Sequence, residues 1–296
     1  MSIIKHKKIF FIFSGLLVIA SIIALLSWQL DFAIDFTGGS LMEVEWINSQ
    51  PSNQEIQNKI SHLDLGDANI QSTGERATIL RFKEVDEKTH QEILSVLREE
   101  FGELEEKRFE SIGPIIGTEL KRKSLWSVII ALIAILLFVA WAFRKVSFPI
   151  KSYRYGIIAV IALFHDVLIT LGVFSVLGHF YNIEVGVPFV AALLTVLGYS
   201  VNDTIVVFDR IRENLLSHRA KHEEFSNIIG QSLKQTITRS INTSLTTLVV
   251  LLAIFFFGGE TIKFFALALI IGITLGTYSS IFIASPLLAA WEKRRE

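Results

Sequence analysis

The chain has no cysteine among its 296 residues, which excludes disulfides and thiolate metal sites in any compartment. It also lacks a GxxxxGK[ST] loop, so ATP hydrolysis through a P-loop is excluded. His218 and His222 have the i, i+4 spacing of metal ligands, but Arg219 stands where a zinc-protease motif needs Glu; the pair reads as solvated. No cofactor or metal is therefore expected. Charged residues are few, at 19%, and they largely avoid six apolar blocks.

Half of the residues are hydrophobic and the mean hydropathy is +0.50, so the chain is a polytopic helical membrane protein. The blocks run from Ile9 to Leu30, Ser124 to Phe143, Gly156 to Leu177, Val187 to Phe208, Ile241 to Phe257 and Phe264 to Ser285. Each is close to the roughly 20 residues that a spanning helix needs. Lys5, Lys7 and Lys8 precede the first block as in a signal peptide. Its apolar run is too long for an h-region and no A-x-A site follows, so it reads as a retained anchor.

Basic residues set the orientation. The N-terminus carries Lys5, Lys7 and Lys8; the second-to-third loop carries Arg144, Lys145, Lys151 and Arg154; the fourth-to-fifth carries Arg210, Arg212, Arg219, Lys221 and Lys234; the tail carries Lys293, Arg294 and Arg295. The short loops on the other side hold only Lys263. Both termini are expected in the cytoplasm, with residues 1–30 forming the N-terminus and first span, 31–120 an exported domain, 121–290 a five-helix bundle and 291–296 a basic tail. A charged stretch at about 209–238 is expected to lie along the membrane surface or under the bundle, with Ile211, Leu215, Ile228, Ile229 and Leu233 on one apolar face. Residues 31–120 hold 19 acidic against 8 basic side chains, which argues against nucleic acid or anionic lipid as a partner.

Within 31–120 the signals alternate as β-α-β-β-α-β: strands at Ser40–Ile47, Asn69–Thr73, Ala77–Phe82 and Glu105–Ser111, helices at Gln54–Leu63 and Glu87–Phe101. That order predicts a ferredoxin-like α+β domain. Two glycine-bearing connections flank it: Asp35-Phe36-Thr37-Gly38-Gly39, and Gly113-Pro114 ahead of Gly117. Turn chemistry explains both, and a hinge is compatible with it.

Asp203 is the one charged residue in the fourth block. A carboxylate in hydrocarbon costs about 2.5–3.5 kcal/mol on insertion scales, so such groups face a protein interior and mark an ion or substrate path. Helical spacing puts Thr195, Tyr199 and Asp203 on one face, with Asn202 beside it. On the next span Arg239, Asn242, Thr243, Thr246 and Thr247 form a polar stripe, expected to face the fourth span with Arg239 as the partner of Asp203. The third span adds His165 and Asp166, with Asp166 about one helical turn nearer the outside than Asp203. A dry carboxylate beside a guanidinium can load and release a proton as water access changes; a static ion pair fixing two helices is the plainer alternative. Gly272, Gly276 and Ser280 have small-xxx-small spacing and read as packing.

Ile34-Asp35-Phe36-Thr37-Gly38-Gly39 with Glu43, the Gly113-Pro114 connector, the run from Leu197 to Asn214 and Arg239-Ser240-Ile241-Asn242-Thr243-Ser244 resemble the SecD/SecF family of the bacterial Sec protein-export machinery, on its SecF side, over almost the whole chain. The resemblance implies a six-helix half of an RND-type fold in the cytoplasmic (inner) membrane, paired with SecD and associated with the SecYEG channel and a YajC-like accessory subunit. It implies a non-enzymatic subunit that uses the proton gradient to promote preprotein export, with Asp203 and Arg239 tied to proton flow. One rival is an RND-type half-transporter for a small molecule or lipid, which would want a larger exported pocket. A second is an intramembrane aspartyl protease using Asp166 and Asp203, disfavoured by their offset and the absence of Gly-x-Gly-Asp.

Overall fold

The computed structural model describes residues 2–143, 152–218 and 224–293. Arg144, Lys145, Lys151, Arg219, Lys221, His222, Arg294 and Arg295, which entered the orientation and metal arguments, lie outside the described residues. The chain divides into two compact units, Phe32–Ser124 and the combination of Met1–Asp31 with Leu125–Glu296.

In the first unit a short helix α3 (Ile34–Thr37) leads into β1 (Gly39–Trp46), followed by α4 (Asn53–Ile60), β2 (Asn69–Thr73), β3 (Ala77–Phe82), α5 (Glu87–Phe101) and β4 (Leu104–Ile112). The sheet is wholly antiparallel in the order β2-β3-β1-β4, and the middle hairpin turns through Gly74 at φ 63°. Alternation in β1 and β3 sends Met42, Val44, Trp46, Leu80 and Phe82 to one face, where Ile56, Ile60, Ile93 and Leu97 from the helices complete a core. Each such side chain contributes about 1.5–3 kcal/mol on burial. Buried Trp46 donates its indole N–H to Thr78 Oγ1 at 2.8 Å. Local signals fix the helix starts. Ser52 and Glu55 form a reciprocal capping box on α4, and Asp86 accepts the Thr89 backbone N–H at 2.9 Å at the head of α5.

The two glycine connections meet. Gly38 sits at φ 75°, ψ 169°, a region open essentially to glycine alone, and a Cβ there would come within 2.7 Å of Pro114 Cα. A Cβ on Gly117 would come within 2.8 Å of Gly38 N. Close backbone approach is what these glycines provide, and it makes one joint of the two strands of chain that enter and leave the sheet. Gly39, at φ 121°, lies equally tight against Phe82 O, and Gly113 abuts the Glu84 carboxylate. Asp35 lies in the first turn of α3.

The second unit contains α1 (Ser2–Lys5) and α2 (Lys7–Trp28), then the long helices α6 (Pro114–Ala142), α7 (Ser152–Tyr181), α8 (Val187–His218), α9 (Phe225–Phe257) and α10 (Glu260–Ser279), a π-helical turn at Ser280–Ala284, and α11 (Ser285–Lys293); the unit boundary falls within α6. Among the described residues six stretches are long and apolar enough to cross a membrane, the last running from Ile262 to Trp291 through the π turn.

Residues 209–218 and 225–238, the charged stretch expected along the membrane surface or under the bundle, continue α8 and α9 as helix. No breaker follows Phe208, and the apolar period runs on through Ile211 and Leu215, which are buried together with Ile228, Ile229 and Leu233. Asn214 fastens this extension by donating to Ser232 Oγ and Gln235 Oε1, both at 2.8 Å.

Small residues set the helix spacing. A Cβ on Gly172 would lie 2.3 Å from Ser21 Cβ of α2, and one on Gly272 would lie 2.3 Å from Val196 of α8. The far end of α2 is tied to α7 by Ser175, whose Oγ lies 3.0 Å from Ala24 O and 2.5 Å from Gln29 O. In contrast, α6 exposes Leu125, Trp126, Ile130, Ile133, Leu137 and Trp141.

Candidate functional site

Two aspartates lie buried among the spans. Asp166 on α7 has no exposed surface and Asp203 on α8 retains 9%. Each is held by hydroxyls from neighbouring helices. Asp166 Oδ2 accepts from Ser200 on α8 at 2.7 Å and from Ser279 on α10 at 2.8 Å, while Oδ1 lies 2.9 Å from His165 Nδ1. Asp203 Oδ1 accepts from Ser240 on α9 at 2.5 Å, and Oδ2 accepts from Ser280, the first residue of the π turn. Ser200 and Asp203 are neighbours one turn apart on α8, so the Asp166 site lies about 4.5 Å nearer the Val187 end than the Asp203 site.

A carboxylate removed from water must have its lone pairs met. Hydroxyls suit this because the same group donates to an ionised carboxylate and accepts from a protonated one. Either carboxyl group can therefore be met by the same hydroxyls in both states. His165 is 6% exposed and stacks near the Tyr278 ring at 6.3 Å; its Nε2 is buried, with no hydrogen-bond partner among the described residues.

Arg239 does not pair with Asp203. It is exposed, and among the described residues no ion pair joins the two, although the guanidinium is near enough to act on the carboxylate charge. The reason is helical geometry: Ser240, 1% exposed, takes the inward position, and its neighbour is rotated about 100° away. The polar stripe is displaced in the same way. Asn242, Thr243 and Thr246 are exposed and Thr247 is half-buried, whereas the inward face of α9 is Ser240, Ser244 and Leu251. The threonines are satisfied within their own helix, Thr243 by Arg239 O at 2.7 Å and Thr246 and Thr247 by Thr243 O. Tyr199 reaches Ser244 and Thr247 at 3.5 Å, and Asn202 is exposed on α8.

Reading the sequence for charge overlooked the four serines that hold the carboxylates, Ser200, Ser240, Ser279 and Ser280. Ser280, whose small-xxx-small spacing reads as packing, donates to Asp203. Adjacent serines in an otherwise apolar span were the available signal. Gly276 does serve close approach: a Cβ there would meet Ser200 Cβ at 2.8 Å, and that proximity puts α10 within reach of both aspartates. Among the described residues no group of three His, Cys, Asp or Glu side chains could hold a metal.

Comparison with known proteins bears on these residues. The family described as "Protein export membrane protein SecD/SecF, C-terminal" matches residues 92–294. The chain is 42% identical over 305 aligned positions to a protein translocase subunit SecF of Thermobaculum terrenum, covering 99% of this chain and 94% of the relative. It is 42% identical over 290 positions to that of Vibrio alginolyticus, covering 96% and 87%. Among solved structures it is similar to SecDF, a translocon-associated membrane protein from Thermus thermophilus, with a TM-score of 0.86 and 32% identity over 99% of this chain. The likeness to SecDF in a super-membrane-facing form is lower, with a TM-score of 0.67 at 31% identity, again over 99% of this chain. The chain spans 39% and 38% of those two solved chains.

Proposed function

The chain belongs to the SecD/SecF family of protein export membrane proteins, and from that premise we propose that its buried carboxylates are where the proton gradient acts on export. It is a multi-pass inner-membrane protein with the role of a SecF translocase subunit in protein export, and its relatives are translocase subunits, not enzymes. In the proposed mechanism Asp203 takes up and releases a proton as water reaches it from alternate sides, with Asp166 and His165 as a second position in the same layer. The observation that carries this is Asp203 itself, 9% exposed within a membrane span and held by serines from two other helices. Each charge crossing the membrane yields about 2.3 kcal/mol per 100 mV, enough to bias a domain movement.

The exposed polar groups Asn202, Arg239, Asn242, Thr243 and Thr246 fit a partner better than lipid, since polar surface in hydrocarbon is costly. A SecD-type half would cover them and bring Arg239, Tyr199 and Thr247 into one seam. SecYEG, a YajC-like subunit and the translocating preprotein complete the proposed assembly. Both termini are then cytoplasmic and the Phe32–Ser124 unit is exported, moving about the joint of Asp35, Gly38, Gly39, Gly113 and Pro114. Asp203→Asn tests the reading in membranes that carry the whole complex. It is expected to abolish proton-dependent stimulation of export while leaving insertion and partner binding intact. Wild-type stimulation by this variant would refute it.

A further inference from the structure

Two adjacent residues of one helix hold two different carboxylates. Ser279, the last residue of α10, donates to Asp166, and Ser280, the first of the π turn, donates to Asp203. A serine hydroxyl has one hydrogen, yet each has a second acceptor within reach on its own helix. Ser279 Oγ lies 3.2 Å from Gly276 O, and Ser280 Oγ lies 3.1 Å from Thr277 O. Among the described residues Ser200 and Ser240 show no such alternative acceptor. The α10 pair can therefore answer a change in charge by rotation alone. When the carboxylate is ionised the hydroxyl donates to it. When the carboxylate takes a proton, its O–H donates to Oγ, and the serine hydrogen turns to the backbone carbonyl three residues back. The two rotors sit at consecutive positions where the helix widens, and Ser285 Oγ spans that turn by donating to Ser280 O at 3.0 Å. Single π turns inside α-helices recur at functional sites.

We infer that Ser279 and Ser280 are positioning residues that join Asp166 and Asp203 into one proton-loading unit, so that the state of either carboxylate is felt by the other through the α-to-π junction. This rests on the proton-coupled reading above and deepens it by adding Asp166 as an obligatory member. The titratable or charged groups on the surrounding elements are His165 on α7, Tyr199 on α8, Arg239 on α9 and Tyr278 on α10, the last in contact with Ser14 of α2 at 3.2 Å.

The test uses the whole complex in membrane vesicles. Two readouts are taken against pH: stimulation of export, and the carboxylic-acid carbonyl bands in infrared difference spectra, assigned with Asp166→Asn and Asp203→Asn. Ser279→Ala removes a donor from Asp166 and Ser280→Ala one from Asp203, and a hydrogen bond to a charged group is worth about one to two pH units of midpoint. Each single variant is expected to raise the midpoint of its own aspartate's band and to move both the other aspartate's band and the export midpoint, and the double variant to depart from the sum of the two. Ser279→Thr and Ser280→Thr, which keep the hydroxyl, are expected to restore the wild-type midpoint. The inference is overturned if each alanine moves only the band of its own aspartate, if the double variant is additive, or if export midpoints stay put while Asp203→Asn still abolishes stimulation. Should Asp203→Asn retain stimulation, the export reading falls, and the infrared titrations alone still decide whether the two carboxylates are coupled.

Discussion

Replacing Gly272 by alanine puts a methyl group where α10 crosses α8. The added carbon would lie 2.3 and 2.7 Å from the two Val196 methyls and 3.0 Å from its Cβ. Ordinary carbon contacts begin near 3.5 Å, so the overlap exceeds an ångström. A valine packed in a span cannot rotate both methyls clear at once, so the helices must separate. Overpacking of this kind costs about 1–3 kcal/mol. Gly15→Ala on α2 is the control. Nothing lies within 4 Å of its added carbon, and helix propensity predicts a gain approaching 1 kcal/mol. Reversible unfolding of the purified full chain in mixed micelles, with denaturing detergent as the titrant, measures both. The propensity gain is common to both sites, so the predicted gap between the two variants is the overpacking cost, about 1–3 kcal/mol. Equal stability would refute the close crossing of α8 and α10. Gly276→Ala carries the same logic into the site, because its carbon would meet Ser200 Cβ at 2.8 Å and Oγ at 3.0 Å and push the hydroxyl from Asp166. It is expected to lower proton-dependent export more than Gly272→Ala does.

Ile93→Ala, at a fully buried position of the sheet-and-helix core, is expected to destabilise the Phe32–Ser124 unit by about 2–5 kcal/mol, read as lost amide-exchange protection in β1 and β3 of the full chain. Gly38→Ala combines a backbone region that alanine avoids with a 2.7 Å approach to Pro114; a cost of about 1–3 kcal/mol from strain alone should appear as faster proteolysis between Thr37 and Pro114. Hydrogen bonds from the Thr89 backbone N–H and hydroxyl hold the Asp86 carboxyl below its ordinary value. Its folded value is depressed, so its contribution to α5 is present above the unfolded value and lost as pH falls through the folded one. Asp86→Asn should remove that acid-side loss in denaturation midpoints measured across pH.

Element order was legible wherever side-chain period alone decides it. Alternation at Met42, Val44 and Trp46 and helical spacing at Ile93 and Leu97 are properties of neighbouring residues, so the β-α-β-β-α-β order could be read without tertiary knowledge. Charge was less informative about where helices end. Asp209, Arg210 and Arg212 mark where apolar sequence stops, but α8 continues because Ile211 and Leu215 find a partner in α9. The Arg239 stripe was misoriented for a related reason: a polar face on a span must be covered, yet sequence does not say whether this chain or another covers it. The serines escaped notice because a hydroxyl in an apolar helix is usually satisfied by its own backbone, as Thr243 and Thr246 are. Only the facing helices distinguish Ser279 and Ser280 from them.

Ser175 sits about 150 positions after the carbonyls of Ala24 and Gln29 that it reaches. A ribosome delivering this chain therefore threads α2 into the bilayer well before the hydroxyl that finishes its far end exists. Until α7 arrives the Gln29 carbonyl, which lies past the last helical turn, must be served by interfacial water, which favours a shallow, frayed terminus in the nascent protein. A chain stopped after α6 should leave that end labile to exchange, and completion of α7 should seal it.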